Sequence, residues 1–198
     1  SRWPSKVTSR PDGLTILVAA RNEEGRIGAL VLGLALGLGT ASGFSGDFDD
    51  PETFFAFTSF NRPTTVYRYD SSNGQASEWA VPKLTFDPDS ISVEQRFYAS
   101  KDGTRVPMFI VRKKGSTGPA PTLLYGYGGF NVSVTPSFNP ANIAWIERGG
   151  TFVVANIRGG SEYGNPWHDA GRLQNKQNVF DDFIAAGEYL KDNGIAAP

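Results

Sequence analysis

The segment that most constrains this chain runs from Pro121 to Asn131 and reads PTLLYGYGGFN. Its first half is a short apolar and aromatic run, and its second half is a glycine turn. An apolar run that ends in glycines is typical of a buried strand that opens into a loop. Glycine lets the backbone approach a neighbour or a ligand closely, because it has no Cβ and tolerates positive φ. The spacing alone favours an ordinary strand end, and Asn131 stands where a dinucleotide fingerprint would have its third glycine.

The residues that follow predict an alternation of strands and helices. Asn139 suits a helix N-cap, Pro140 the first helical position and Gly149 the residue after the C-cap, so a short helix is expected there. The run Thr151–Ile157 is strongly β-prone and predicts a strand. Because a crossover helix precedes it, we expect this strand to pair in parallel with Thr122–Tyr125.

A longer helix is predicted over Asn178–Asn193. Asn178 and Asp181 resemble a capping box, and Gly194 suits the residue after the C-cap. Asp181 and Asp182 open the helix, where negative charge complements the helix dipole. The predicted core stripe consists of Val179, Phe180, Phe183, Ile184, Gly187 and Leu190.

The first half of the chain predicts a β meander. Three strands are expected at Phe54–Phe60, Thr64–Tyr69 and Ala76–Val81, and such short, closely spaced strands are typical of a propeller blade. Upstream, Leu14–Ala20 is a plausible strand. The apolar run Ile27–Leu38 is shorter than the ~20 residues that span a bilayer, and a buried β segment is preferred there over a membrane helix or signal peptide.

A linker and a hairpin are expected in the middle of the chain. The proline and lysine content of residues 82–89 predicts a linker, with a domain boundary near Ser90. Two strands, Val93–Ser100 and Thr104–Val111, flank a hairpin turn at Asp102-Gly103. Pro107 within the second strand indicates an edge or irregular position, because proline donates no ladder hydrogen bond.

Composition narrows the chemistry that these residues can perform. The 198 residues contain no cysteine, which excludes disulfides, thiolate metal ligands and cysteine nucleophiles. His168 is the only histidine, so a histidine-rich metal site is also excluded. The net charge is -1, from 19 basic and 20 acidic residues. We therefore expect neither a nucleic acid nor an acidic membrane surface as a partner.

Four motifs in the second half of the chain carry a family resemblance. They are YGYGGFN (125–131), ANIRGGSEYG (155–164), WHDAG (167–171) and NKQNVFDDF (175–183). In order and approximate spacing they resemble the prolyl oligopeptidase family, and SKDGTRVPMFIVRKKG (100–115) agrees with it. Together the motifs are specific to that family.

The resemblance implies a partial α/β-hydrolase domain, with a mostly parallel sheet and helices, preceded by antiparallel β-propeller blade strands. Residues 1–89 would be the C-terminal part of the propeller, with residues 1–36 atypical of the family. Residues 90–198 would be the N-terminal half of the catalytic domain. The chain would then be an internal fragment, and the family's triad serine, aspartate and histidine would all lie beyond Pro198.

The resemblance also implies roles for individual residues. Tyr127 would donate its hydroxyl to the oxyanion of the tetrahedral intermediate, and Phe130 would wall the pocket for the substrate's proline ring; core packing is the alternative for both. Ser161 follows Gly160 but lacks the G-x-S-x-G spacing of a nucleophile elbow, so it is interpreted as a loop serine. His168 lies in WHDAG, which resembles a structural motif, and we expect a structural or hydrogen-bonding role.

The implied activity is that of a serine endopeptidase acting on the carboxyl side of proline in short peptides, without metal or cofactor. Its partners would be proline-containing peptides and the remainder of the hydrolase and propeller domains. The compartment would be the cytoplasm or, alternatively, the periplasm. The alternatives are a related oligopeptidase that cleaves after basic residues, an acylaminoacyl peptidase, and a non-catalytic fragment or binding module.

Overall fold

Two four-stranded sheets follow one another along the chain. The structure is a computed structural model that describes residues 38–47 and 50–197. The predicted strand Leu14–Ala20 lies outside these residues, and so does the apolar run Ile27–Leu38 except for Leu38 itself. Leu38 packs against a core cluster of the second sheet.

The first sheet is an antiparallel meander. Its strands, each paired with the next, are β1 (Thr40–Ser45), β2 (Glu52–Thr58), β3 (Thr65–Asp70) and β4 (Gln75–Ala80). Alternate side chains of a strand point to the same face, and the core of this sheet is aromatic: Phe55, Phe57, Tyr67 and Tyr69. The three predicted strands are confirmed as β2, β3 and β4. The sequence pattern misses β1 because a register shift at its end, beside Gly43, interrupts the alternation.

The second sheet is mixed. Its strands are β5 (Ile91–Ala99), β6 (Arg105–Lys113), β7 (Thr122–Gly126) and β8 (Thr151–Ala155), in the spatial order β5-β6-β8-β7. The predicted hairpin is confirmed, since β5 and β6 pair antiparallel around Gly103, which has a φ of 82°. The predicted parallel pair is also confirmed, because β7 and β8 run in parallel from Thr122–Thr151 to Gly126–Ala155. The β6–β8 pairing is antiparallel.

The edge position predicted from Pro107 is wrong. β6 lies between β5 and β8 and is buried over most of its length. Pro107 is tolerated because it lies one residue beyond the last β6–β8 pair, Met108–Ala155. Its carbonyl still accepts a hydrogen bond from the Asn156 N–H at 2.9 Å. The sheet therefore lacks only the one hydrogen bond that a Pro107 N–H would have donated, at the point where the β6–β8 ladder ends.

Helices cover both faces of the second sheet: α1 (Pro140–Glu147), α2 (Asn165–Asp169) and α3 (Gln177–Asp192). The predicted caps of α1 are confirmed, since Asn139 Oδ1 accepts a hydrogen bond from the Ala141 N–H and Gly149 has a φ of 88°. One core cluster joins α1 to one sheet face: Phe109, Val111, Ile143, Ile146, Phe152 and Val154. The other joins α3 to the opposite face: Met108, Ile110, Val153, Val179, Ala186 and Leu190. This alternation along β6 and β8 gives a three-layer arrangement.

The predicted long helix is confirmed as α3, but two of its predicted details are wrong. Its buried residues are Val179, Asp182, Ala186 and Leu190. Three residues of the predicted stripe are exposed instead: Phe180, Phe183 and Ile184. The capping box is absent, because Asn178 Nδ2 donates to the Ala170 carbonyl while Asp181 accepts a hydrogen bond from Gln177.

The two sheets meet near the end of β2. Phe60 belongs to the α1-side cluster of the second sheet, where its ring lies 5.4 Å from that of Phe109. Asn61 Nδ2 donates to the carbonyls of Pro88 and Ile91, at 2.9 and 3.3 Å. These contacts connect the first sheet to the start of β5, close to the domain boundary proposed near Ser90.

Candidate active site

Tyr127 and Phe130 follow directly after β7. Since β7 and β8 are parallel, their carboxyl ends lie at one edge of the sheet. In open α/β sheets this edge is where ligands bind. The turn that carries Tyr127 also follows the third strand of its sheet in chain order, the position from which α/β-hydrolases build part of the oxyanion hole.

The turn after β7 packs against the loop after β8 through two glycines. A Cβ on Gly128, whose φ is 56°, would lie 2.6 Å from Ile157 Cγ1 and 2.7 Å from the Arg158 carbonyl oxygen. A Cβ on Gly159, whose φ is 96°, would lie 2.5 Å from the Gly128 carbonyl oxygen. Glycine is therefore required twice, both for the left-handed backbone and for the close approach of the two loops.

The side chains of Tyr127 and Phe130 are presented to solvent. Tyr127 is 46% exposed and Phe130 is 87% exposed. Their ring centroids lie 6.5 Å apart with a 36° tilt. Within the described part of the chain the Tyr127 hydroxyl makes no hydrogen bond, so it is available to donate to a ligand. The alternative of core packing does not apply to a side chain as exposed as Phe130.

The backbone of this turn is strained. Phe130 and Asn131 have φ values of 52° and 57°, a region that costs non-glycine residues free energy. Two backbone hydrogen bonds hold it: the Asn131 N–H donates to the Gly159 carbonyl at 3.3 Å, and the Val132 N–H donates to the Gly129 carbonyl at 3.1 Å.

A buried ion-pair cluster lies behind the turn. The Arg158 guanidinium, 4% exposed, donates through Nη2 and Nε to both carboxylate oxygens of Asp182, at 2.6 and 3.0 Å. Its Nη1 donates to Asp102 Oδ2 at 2.6 Å. The hydrogen bond from Arg158 lowers the pKa of Asp102 from 3.8 to about 2, and hydrogen bonding to Asp182 raises the pKa of Arg158. The cluster connects the β5–β6 turn, the loop after β8 and α3.

Sequence reasoning missed this cluster. The interpretation of Asp182 as a charge that complements the helix dipole is wrong, because its side chain is fully buried and paired. A buried carboxylate needs such a partner. The signal was available in the sequence, since an arginine that closely follows a strongly β-prone, mostly apolar run is a candidate for burial.

His168 and Ser161 form hydrogen bonds with different partners. His168 Nδ1 donates to the Gly159 carbonyl at 2.7 Å, which confirms the predicted hydrogen-bonding role. The Ser161 hydroxyl makes a hydrogen bond of 2.8 Å with Ser133. A nucleophile and its base would share a hydrogen bond. Over residues 38–47 and 50–197, no hydrogen bond joins the side chains of Ser161 and His168.

Two sequence models match the chain. The model described as the N-terminal beta-propeller domain of prolyl oligopeptidase matches residues 5–82, and the model described as the prolyl oligopeptidase family matches residues 136–198. The chain belongs to the prolyl oligopeptidase family. The first range contains all of β1 to β4, and the second contains α1, β8, α2 and α3. Tyr127 and Phe130 lie between the two ranges.

Relatives and solved structures of the prolyl oligopeptidase family agree with this. The prolyl endopeptidase of Elizabethkingia miricola is 48% identical over 175 residues, which are 87% of this chain and 25% of that protein. A structure from a study of two prolyl endopeptidases superposes with a TM-score of 0.73 at 57% identity, covering 80% of this chain and 23% of that one. Oligopeptidase B from Leishmania major gives 0.71 at 30% identity, covering 81% and 23%.

The chain thus spans about a quarter of the length of the curated prolyl oligopeptidase relatives that it matches. Fold alone does not separate the prolyl endopeptidase structure from that of oligopeptidase B, since the two superpose on this chain with TM-scores of 0.73 and 0.71. None of the helices in residues 38–47 and 50–197 has the length and apolar character needed to cross a bilayer.

Proposed function

We propose that the protein containing this chain is a serine endopeptidase that hydrolyses short peptides on the carboxyl side of proline. The observation that carries the proposal is the half-exposed Tyr127 side chain at the carboxyl edge of the sheet, in the loop after the third strand of that sheet. Relatives named prolyl endopeptidase, at 48% identity, support the reaction class. The division into propeller residues 1–89 and hydrolase residues 90–198 is part of the same proposal.

In this proposal Tyr127 acts on the transition state. A serine supplied by the rest of the protein attacks the peptide carbonyl, and the C=O bond opens to an oxyanion. The Tyr127 hydroxyl donates a hydrogen bond to that oxygen. One such donor contributes about 3 kcal/mol of transition-state stabilisation. Collapse of the intermediate expels the amine, which takes up the proton that the serine hydroxyl gave up, and leaves an acyl-enzyme that water then hydrolyses by the same route.

Phe130 is proposed to contact the substrate. An apolar proline ring suits an aromatic face, and Phe130 offers one that is 87% exposed. An apolar face of this kind would favour proline over basic residues at the cleaved position. The partners proposed here are therefore short proline-containing peptides, met in the cytoplasm or, alternatively, the periplasm.

The test uses the whole protein and the variant Tyr127→Phe. We expect turnover of a chromogenic glycyl-prolyl substrate that a serine-directed inhibitor abolishes. In Tyr127→Phe, kcat should fall about 100-fold or more with little change in KM, because the hydroxyl acts only on charge that forms in the transition state. Tyr125→Phe removes the phenol of a nearby exposed tyrosine and is the matched control, with kcat expected to stay close to wild type.

Three other substrate results would redirect the proposal. Preferred cleavage of a glycyl-arginyl substrate would indicate an oligopeptidase that acts after basic residues. Preferred release of an N-acetylated amino acid would indicate an acylaminoacyl peptidase. No turnover of any of them by the folded protein would indicate a binding module. An unchanged kcat in Tyr127→Phe would remove Tyr127 from the mechanism.

A further inference from the structure

The turn that carries Tyr127 and Phe130 is held by side chains from outside it. Two of its residues, Phe130 and Asn131, have left-handed φ values that they would not retain without support. The support comes from the loop after β8 and from the two segments that follow it, α2 and the start of α3.

Gly159 joins the turn to α2. Its carbonyl oxygen accepts hydrogen bonds from the Asn131 N–H, at 3.3 Å, and from His168 Nδ1, at 2.7 Å. Because a carbonyl can only accept, Nδ1 carries the proton in this contact. The Gly159 N–H in turn donates to the Trp167 carbonyl at 3.0 Å. The WHDAG motif thus binds both the N–H and the carbonyl of Gly159, the residue whose carbonyl also accepts the hydrogen bond from the turn.

Lys176 reaches the turn from the start of α3. It is the N-cap residue of α3, where a cation is disfavoured by the helix dipole, and its side chain makes no capping hydrogen bond. Capping therefore does not account for a lysine at this position. Its Nζ instead donates to the Gly128 carbonyl at 3.0 Å, next to Tyr127 in sequence. The same ammonium lies 5.9 Å from the centroid of the Phe180 ring.

We propose that His168 and Lys176 are positioning residues that hold the Tyr127–Asn131 turn in its reactive geometry, His168 through the Gly159 carbonyl and Lys176 through the Gly128 carbonyl. The inference rests on the proposed role of Tyr127 in the reaction. Neither side chain touches the substrate in this scheme. Each fixes a backbone oxygen within the pair of packed loops, and the orientation of the Tyr127 hydroxyl follows from that.

The test is a set of variants in the whole protein, assayed with the glycyl-prolyl substrate. His168→Leu removes the donor and should lower kcat about tenfold with KM nearly unchanged, since a misplaced donor loses transition-state stabilisation and not ground-state binding. His168→Asn keeps an N–H donor at the δ position and should recover most of that loss. Lys176→Met should lower kcat about fivefold, Lys176→Arg should restore it, and Lys191→Met, on the last turn of the same helix, is the matched control.

A double-mutant cycle separates positioning from general destabilisation. If the two residues act through the Tyr127 hydroxyl, His168→Leu and Lys176→Met should each change kcat less than about twofold in the Tyr127→Phe background. Equal losses in both backgrounds would overturn the inference and leave the proposed function intact. A Tyr127→Phe protein with wild-type kcat would instead overturn the proposed role of Tyr127, on which this inference rests. Loss of activity in His168→Asn equal to that in His168→Leu would also contradict the inference, because the donor would then be irrelevant.

Discussion

Asp182 carries a carboxylate at a position with no exposed surface. Besides both side-chain contacts from Arg158, it accepts the Arg158 backbone N–H at 3.0 Å. Its own carbonyl accepts the Tyr98 hydroxyl at 2.8 Å, and burial raises the pKa of that phenol. Both carboxylate oxygens and the backbone carbonyl of Asp182 therefore accept hydrogen bonds, and a buried charge requires such partners.

Asp182→Asn should therefore destabilise the protein strongly. The change leaves the buried Arg158 guanidinium without most of its compensating charge, and breaking such a pair costs about 3 kcal/mol or more. Its neighbour Asp181 is part-exposed and accepts a hydrogen bond from Gln177, so Asp181→Asn should change stability by less than about 0.5 kcal/mol. Urea unfolding of the whole protein and the two variants measures this. Equal effects of the two substitutions would contradict the buried-pair argument.

The hairpin formed by β5 and β6 is fastened to α3 through Arg158. Asp102 lies in the hairpin turn. The Arg158 guanidinium donates hydrogen bonds to Asp102 and also to Asp182 on α3, and so connects the two. Since the Arg158 hydrogen bond lowers the pKa of Asp102 from 3.8 to about 2, the ionised carboxylate stabilises the folded state. That contribution is complete above the unfolded-state pKa of about 4 and is lost as the pH falls from about 4 to about 2.

Asp102→Asn should accordingly show a stability deficit that depends on pH. At pH 7 we expect a loss of about 1 kcal/mol or less, because the Asp102 side chain is 46% exposed and solvent screens the pair. The deficit should shrink as the pH falls through this window, where wild type loses the same interaction. Unfolding midpoints of both proteins between pH 7 and pH 3 test it. A deficit of constant size would show that the carboxylate charge is not responsible.

At the scale of the whole molecule, the described sheet ends on β7. On this side of the described sheet, Ala196 forms a single parallel bridge with Ala120, which lies just before β7 in the chain. Leu123 and Tyr125 on β7 are about half exposed, at 50% and 46%, and Phe180 and Ile184 on α3 are exposed as well. Apolar residues on a sheet edge and a helix beside it favour self-association.

The 198-residue chain purified alone should therefore associate and should not hydrolyse proline peptides. Its described residues contain Tyr127, the proposed oxyanion donor, but no serine in the geometry of a nucleophile elbow. Light scattering and an assay with a glycyl-prolyl substrate, with and without a serine-directed inhibitor, measure both properties. Inhibitor-sensitive turnover by the homogeneous chain would reveal an overlooked nucleophile, and Ser161 would be the first residue to substitute.

Local patterns were sufficient for the features that depend on neighbouring residues. The Asn139 cap, the turn at Asp102-Gly103 and the parallel β7–β8 pair all follow from residue types a few positions apart or from one short crossover. The order of the motifs was enough to indicate the family. β1 was missed because a bulge removes the alternation on which strand prediction relies.

The tertiary structure decided which distant residues meet. β6 became an interior strand because β8 inserts between it and β7, and no pattern within β6 encodes that neighbour. Arg158 meets Asp182 across 24 residues and Asp102 across 56, and Lys176 meets Gly128 across 48. Each contact depends on the packing of segments that are far apart in the chain. The sequence by itself therefore determined most of the elements, the family and the position of Tyr127 at a strand end, while packing determined what holds the turn that carries Tyr127 in place.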